Sequence, residues 1–295
     1  MTTIKEESTF PLSLFNEYSG EDKKAVDMRS MLEKAHFNNT TEFLLGESID
    51  KDVIISDFEA IHNILVGGTT GFGKTNTVHQ ILLSMMYHAT PNDVKLGIID
   101  LKQVDYKHYN DLPYMIENPI GDVAQSKRFL EKVYEEMERR YRIFSDFNVG
   151  RIKAFNQNAE KNGLKKLPYW VIAIDECMNL FKCDEEVKAL AERIMQQGYN
   201  AGIFFIASSQ TGRNPIMTGS MKKTMQMRIA KRMENKRESY YILDSPQAVK
   251  LEDKNSMWIN DTGQYKCVKS TYISDEEIER ICRYLKNEYK ELGLN

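Results

Sequence analysis

A glycine-rich segment in the first third of the chain has the spacing GxxxxGK[ST], which is typical of loops that bind nucleotide phosphates. Its residues, with the one that follows, are Gly68, Thr69, Thr70, Gly71, Phe72, Gly73, Lys74, Thr75 and Asn76. Glycines let successive N–H groups point inward at phosphate oxygens, and a following helix adds its N-terminal dipole. The pattern predicts that Lys74 reaches the β- and γ-phosphates and that Thr75 ligates Mg²⁺, so ATP and Mg²⁺ are the expected ligands.

Two acidic residues, Asp175 and Glu176, directly follow the apolar run VIAI. An apolar strand that ends in such a pair, downstream of a phosphate-binding loop, is typical of a Walker B motif. We expect Asp175 to hold Mg²⁺ through water and Glu176 to polarise the attacking water as a general base. Without the glycine-rich loop, two solvated acids at a strand end would be an equally good interpretation.

A third polar group ends the run GIFFIASSQ, at Ser208, Ser209 and Gln210. Carboxyl ends of neighbouring parallel strands meet at the ligand-binding edge of a sheet. We therefore expect Gln210 to orient the lytic water or to sense the γ-phosphate. The structural alternative is a strand-end amide that is satisfied by the backbone.

These residues require a framework of alternating strands and helices. The apolar runs HNILVGG, VKLGIIDLK, PYWVIAIDE and GIFFIASSQ read as strands, and segments with helical spacing separate them. This alternation predicts an α/β fold with a mostly parallel central sheet flanked by helices. Before it, FLLGESIDKDVIISDF is typical of a hairpin.

Composition limits the classes of function. The 295 residues carry a net charge of −3, so any contact with DNA must come from a local patch. The chain has no apolar run long enough to span a bilayer, no signal-like N-terminus, and four scattered cysteines outside any CxxC pattern. A cytoplasmic protein is expected.

One local patch stands out between Arg213 and Glu238, where acidic residues are few. Its basic members are Arg213, Lys222, Lys223, Arg228, Lys231, Arg232, Lys236 and Arg237. Contact with a phosphate backbone and a solvated helix face are equally good interpretations.

The motifs together resemble the FtsK/SpoIIIE DNA translocases over roughly residues 42 to 287. The resemblance covers the block from HNILVGG to KQVDY, with its Asp100-Leu101-Lys102, and the helix EEMERRYRIFSDFNVGRIKAFN. It continues through IMTGSMKKTMQMRIA, SYYILD and STYISDEEIERICRYLK. It implies a RecA-like P-loop ATPase that works as a ring, usually a hexamer, and pulls double-stranded DNA through its pore.

Carried onto this chain, the resemblance implies that Thr70 to Thr75 bind nucleotide and that Asp175 and Glu176 catalyse. Arg228, in the position of the family's "RIA" arginine, would approach the ATP of the neighbouring subunit. The chain departs from the family at Tyr199, where an arginine is common. Either Arg193 or Arg228 then carries the whole trans role, or hydrolysis is slow. DNA contacts are expected near Lys102 to Lys107 and after Gln210.

Three domains are predicted: an N-terminal adaptor or linker (1–41) that packs on the adjacent subunit, the motor (42–274), and a C-terminal helix packed on the motor (275–295). Neither a membrane anchor nor a winged-helix reading domain is evident, so we expect a mobile-element motor of a plasmid, conjugative element or phage. A membrane-anchored or mobile-element protein is an expected partner. The alternatives are a type VII secretion-like motor that moves protein, and a nucleotide-dependent assembly or replication factor.

Overall fold

The fold was obtained as a computed structural model, which describes residues 8–16, 26–210 and 219–292; Arg213 lies outside them. The strands are β1 (Val26–Asp27), β2 (Glu42–Glu47), β3 (Val53–Asp57), β4 (Ile64–Gly67), β5 (Val94–Ile99), β6 (Tyr169–Ile174), β7 (Ile203–Ser209), β8 (Met227–Ala230), β9 (Ser256–Asp261), β10 (Gln264–Lys269) and β11 (Thr271–Tyr272). The helices are α1 (Met28–Lys34), α2 (Phe58–Ile61), α3 (Lys74–His88), α4 (Val123–Asp146), α5 (Ile152–Lys161), α6 (Cys177–Cys183), α7 (Glu185–Gln197), α8 (Gly219–Thr224), α9 (Lys236–Leu243) and α10 (Asp275–Glu291).

The predicted strands and hairpin are confirmed. The four apolar runs form β4, β5, β6 and β7, all in parallel pairing, and β2 pairs antiparallel with β3. Residues of β4, β6 and β7 are almost entirely buried, as expected for strands covered on both faces. The phosphate loop and the two polar strand ends therefore share one edge of the sheet.

The predicted α/β fold is confirmed, and its sheet is mixed rather than purely parallel. Its nine strands run in the order β3-β2-β10-β9-β8-β4-β7-β6-β5. Strands β8, β4, β7, β6 and β5 are parallel neighbours, whereas β8-β9-β10-β2-β3 pair antiparallel. The turn between β9 and β10 is Thr262-Gly263, with φ values of 49° and 97°. Positive φ at both central residues favours a tight antiparallel hairpin, a signal that the sequence reading did not use.

The described parts of the N-terminal segment make contacts within their own chain, and the predicted packing on an adjacent subunit stays a prediction. Phe10 and Phe15 are buried in the same core as the motor. The Asn16 N–H donates to Glu277 of α10 at 2.7 Å, and Arg280 donates to the Leu14 carbonyl. Strand β1 pairs with β11. Apolar burial and these contacts join the segment to the motor and to α10.

Within the described parts of the chain, no helix combines the length and the apolar character that crossing a membrane requires.

Candidate nucleotide-binding site

The predicted phosphate loop connects the end of β4 to the start of α3. Gly71 and Gly73 have φ values of 79° and 82°, a left-handed conformation that favours glycine. Gly73 is the N-cap of α3, so the helix N-terminus opens onto the loop. Neighbouring strands hold the base of the loop: the Thr69 N–H donates to the Arg232 carbonyl at 2.9 Å. The backbone is thus shaped as a cradle for an anion.

Lys74 lies under this cradle with its side chain buried. Its Nζ donates to the Gly68 carbonyl at 2.8 Å and lies 3.5 Å from Glu176 Oε1. Burial lowers the pKa of Lys74, and the carboxylates of Glu176 and Asp175 oppose that effect. The structure therefore brings the predicted phosphate-binding lysine and the predicted base into contact.

The two acids after β6 are tied together by Ser208. Its hydroxyl donates to Asp175 Oδ1 at 2.6 Å and accepts from the Glu176 N–H at 3.0 Å. Burial raises the pKa of Asp175, and the bond from Ser208 works against this rise. The sequence analysis named Ser208 but gave it no role. The register of β6 and β7 could have indicated this contact. Ile174 pairs with Ala207, so the residues that follow them, Asp175 and Ser208, lie side by side.

Glu176 adopts a left-handed backbone with φ of 46°. For a residue other than glycine this costs roughly 1 kcal/mol, and it persists where surrounding bonds fix it. Here the carboxylate also accepts the Gln210 N–H, at 3.1 Å to Oε2. Gln210 thus touches the base through its backbone, and the predicted sensing role of its side chain stays a prediction.

A second lysine approaches Glu176 from the turn after β5. The buried Asp100 carboxylate accepts the N–H groups of Lys102, Val104 and Asp105 at 3.0, 3.0 and 3.3 Å. This turn places Lys102 Nζ 3.9 Å from Glu176 Oε1, while half of the Lys102 side chain remains exposed. Lys102 was predicted as a DNA contact, and the structure puts it beside Glu176, the predicted general base.

The residues present fit ATP and Mg²⁺. The loop offers left-handed glycines, a helix N-terminus and a buried lysine for phosphates, and Thr75 in the first turn of α3 together with Asp175 would hold the metal. Bound there, Mg²⁺ would neutralise charge on the phosphate oxygens.

The Asn76 side chain is hydrogen-bonded within the chain, and its predicted contact with the nucleotide stays a prediction. Its amide donates to the Thr271 carbonyl and accepts the Ile273 N–H at 2.9 Å. Both polar atoms of the side chain thus fasten α3 to the segment around β11. Phe72, in the loop itself, packs under the Arg232 guanidinium at 5.2 Å.

Comparison with known proteins identifies the family. The FtsK/SpoIIIE family model matches residues 27–213. The chain is 30% identical over 282 residues to DNA translocase FtsK of Clostridium acetobutylicum, covering 93% of this chain and 37% of that protein. It is 33% identical over 272 residues to DNA translocase SftA of Bacillus subtilis, covering 90% and 29%. The chain belongs to the FtsK/SpoIIIE family. It spans about a third of the length of these curated relatives.

Solved structures agree on the fold. The conjugation coupling protein TcpA of pCW3, solved with ATPγS, matches with a TM-score of 0.74 at 18% identity, over 87% of this chain and 72% of that one. The cytoplasmic domain of the Thermomonospora curvata type VII secretion ATPase EccC gives 0.74 at 16% identity, over 90% and 33%. At these identities the likeness shows the P-loop ATPase fold alone.

The arginine predicted to act in trans forms an ion pair within its own chain. Arg228 pairs beside Leu65 of β4, and its guanidinium binds the Asp244 carboxylate, which Lys222 also binds. Tyr199, at the family's other arginine position, stacks on His62 with ring centroids 3.6 Å apart. Arg193 lies over the Tyr134 ring, 4.6 Å from its centroid.

The predicted basic patch is divided by the fold. Lys222 and Arg228 both bind the Asp244 carboxylate, and the Arg232 guanidinium lies over the Phe72 ring. The Lys231 side chain is 1% exposed and lies beneath the phosphate loop. Burial excludes Lys231 from contact with DNA. In the described part of the patch, exposed positive charge remains at Lys223 of α8, at Arg232, and at Lys236 and Arg237 of α9.

Proposed function

We propose that this FtsK/SpoIIIE family member hydrolyses ATP in the cytoplasm and uses the reaction to move double-stranded DNA. The observation that carries the proposal is the buried pair of Lys74 and Glu176, 3.5 Å apart at the edge of a glycine cradle. The curated relatives that are named DNA translocases support the choice of substrate.

In this proposal, Lys74 and Glu176 carry the hydrolytic step. Lys74 leaves Glu176 and the Gly68 carbonyl to bind phosphate oxygens, which frees the Glu176 carboxylate. Glu176 then accepts a proton from the attacking water. The Glu176 N–H donates to the Ser208 hydroxyl, and the Gln210 N–H donates to the Glu176 carboxylate; these bonds keep Glu176 in place. A positioned base of this kind contributes on the order of a hundredfold or more in rate.

Ring assembly, most simply a hexamer, is part of the proposal. Within its own chain, the Arg228 guanidinium is paired with the Asp244 carboxylate. If it serves the site of a neighbouring subunit, hydrolysis depends on assembly, because an arginine supplied in trans stabilises the charge of the transferring phosphoryl group. Contacts from Lys102, Lys107 and the exposed end of α9 to DNA phosphates would be tolerant of sequence and sensitive to salt.

Two other classes of function predict different behaviour. A motor that moves protein, as in type VII secretion, or a nucleotide-dependent assembly factor would use the same ATP site without responding to DNA. A role in plasmid, conjugative-element or phage DNA transfer, with a membrane-anchored partner, remains a prediction.

The deciding experiment compares ATP hydrolysis with and without a long linear duplex, using Glu176→Gln as the matched control. We expect duplex DNA to raise turnover, and the variant to lose turnover while still binding nucleotide. Wild-type hydrolysis that ignores duplex DNA over a range of salt concentrations would contradict the DNA substrate and favour a protein motor or an assembly factor.

A further inference from the structure

A buried lysine runs along the underside of the phosphate loop. The Lys231 side chain is 1% exposed. Its stem passes beneath Gly68, where an added Cβ would lie 2.7 Å from the Lys231 Cβ. Its ammonium ends beneath Gly73, where an added Cβ would lie 3.9 Å from Nζ. Lys231 therefore spans the loop from Gly68 to Gly73.

The oxygens around this ammonium are neutral. Nζ donates to the Ser270 hydroxyl and lies 3.3 Å from each of the Lys254 and Asn255 carbonyls. The nearby Asp253 carboxylate instead binds the Asn255 N–H at 3.0 Å and the Ser256 hydroxyl at 3.3 Å. Among the described residues, no carboxylate lies within ion-pair distance of Lys231. Its charge is thus solvated by oxygens but is not neutralised.

Burying a charge without an opposite charge is unfavourable. Burial lowers the pKa of Lys231 to about 7, and the charge of Asp253 opposes this effect only in part. Lys74 also lies beside the loop, where its stem would be 3.3 Å from a Cβ on Gly68, but its ammonium has a counter-charge in Glu176, 3.5 Å away. Of these two lysines, Lys231 is thus the one whose buried charge lacks a carboxylate partner, and the phosphates of a nucleotide would supply an opposite charge.

We propose that Lys231 is a positioning residue that balances the charge of bound nucleotide phosphates through the loop, and that the protein takes up a proton at Lys231 when nucleotide binds. The inference rests on the proposed binding of ATP and deepens it. It is independent of DNA and of ring assembly.

A measurement of proton uptake on nucleotide binding distinguishes this role from a purely structural one. Calorimetric titration with a non-hydrolysable ATP analogue at pH 7.5, in buffers of different ionisation enthalpy, counts the protons bound with the nucleotide. We expect wild-type protein to take up roughly half a proton more than Lys231→Met, and the variant to bind about tenfold or more weakly. Lys254→Met is the matched control, because Lys254 contributes only its backbone carbonyl to this site and its side chain is exposed.

A second variant keeps the test decisive if methionine prevents folding. Ser270→Ala retains the lysine but removes an oxygen partner, so the empty site should hold less of the charged form and proton uptake should rise. Equal uptake by wild type, Lys231→Met and Ser270→Ala, with nucleotide bound, would overturn this inference alone. A folded wild type that binds no nucleotide would overturn the proposed function as well.

Discussion

Lys74 Nζ lies 3.5 Å from Glu176 Oε1, so the residue predicted to bind phosphate and the residue predicted to activate water are partners before nucleotide arrives. A second contact, from Lys74 to the Gly68 carbonyl, holds the lysine in the same place. Nucleotide phosphates must compete with both. We therefore predict that the site couples nucleotide binding to activation of water, because movement of Lys74 to the phosphates would release Glu176.

Glu176→Gln should tighten nucleotide binding while it abolishes turnover. The substitution removes a negative charge that competes with phosphate for Lys74, and we expect roughly tenfold higher affinity, the equivalent of ~1.4 kcal/mol. Loss of the general base should lower turnover by about a hundredfold or more. Equilibrium binding of a fluorescent ATP analogue and steady-state hydrolysis measure the two effects. Weaker binding by this variant would contradict the competition between Glu176 and phosphate.

Ser208→Ala should raise the Mg²⁺ concentration needed for half-maximal hydrolysis by about tenfold, the effect of losing one hydrogen bond to a charged group. Burial already raises the pKa of Asp175, and without the Ser208 bond it should rise further. The acid limb of the pH–rate profile should then move to higher pH. Ser126→Ala is a fitting control, since Ser126 is also buried but binds a backbone carbonyl in α4. Identical Mg²⁺ dependence of hydrolysis in the two variants would show that Ser208 does not support Asp175 in binding Mg²⁺.

Lys102→Met should weaken the link between DNA and hydrolysis. When Lys74 turns to phosphate, Lys102 remains a cation near Glu176, and its half-exposed side chain can also reach a DNA phosphate. We expect turnover without DNA to rise several-fold and the stimulation by duplex to shrink. Lys107→Met is the control on the same segment, because Lys107 is similarly exposed but pairs with Asp275 at 3.7 Å. Equal loss of stimulation in both variants would indicate general DNA affinity instead.

Arg228→Ala should leave nucleotide binding nearly intact and reduce turnover by roughly a hundredfold or more, the contribution expected of an arginine finger. The structural alternative is an internal ion pair with Asp244. Asp244→Asn distinguishes the two, because Asp244 has a left-handed φ of 59° that asparagine tolerates. Turnover should survive in Asp244→Asn. A similar loss in both variants, accompanied by a lower melting temperature, would assign Arg228 to stability.

Lys231 should make the empty protein more stable as pH rises. Its pKa is lowered from 10.5 to about 7 by burial, so between these values the unfolded chain binds more protons than the folded one. The destabilising effect is complete below pH 7 and disappears as pH rises toward 10.5. Between pH 7 and pH 9, wild type should gain about 2 kcal/mol of unfolding free energy relative to Lys231→Met. Parallel pH profiles from denaturant unfolding would show that the lysine is not protonated as described.

The sequence predicted what local patterns encode. The spacing of the phosphate loop, the acids after β6 and the parallel strands β4 to β7 all follow from motifs and periodicity. Strands β8 and β9 were not predicted, because their pairing with each other and with β4 and β10 is not specified by their own sequences.

The surroundings of Asn76 and Lys231 could not be predicted for a related reason. The amide of Asn76 is used by Thr271 and Ile273, and the ammonium of Lys231 by Ser270. Those partners are distant in sequence and are brought close only by the antiparallel half of the sheet. A basic run therefore looked like a surface patch, although one of its members is buried.

The pairing of β2 with β10, at Glu47 and Lys269, also sets an order of events during synthesis. The strands that carry the predicted catalytic groups are complete once β7 has been made, whereas β10 and β11 follow later in the chain. Closing a long loop is entropically costly, and pairing between distant segments is slow. We expect a growing polypeptide on the ribosome to form its parallel core before it acquires the support beneath Gly73, so it should hold nucleotide poorly until the residues around Ser270 have emerged.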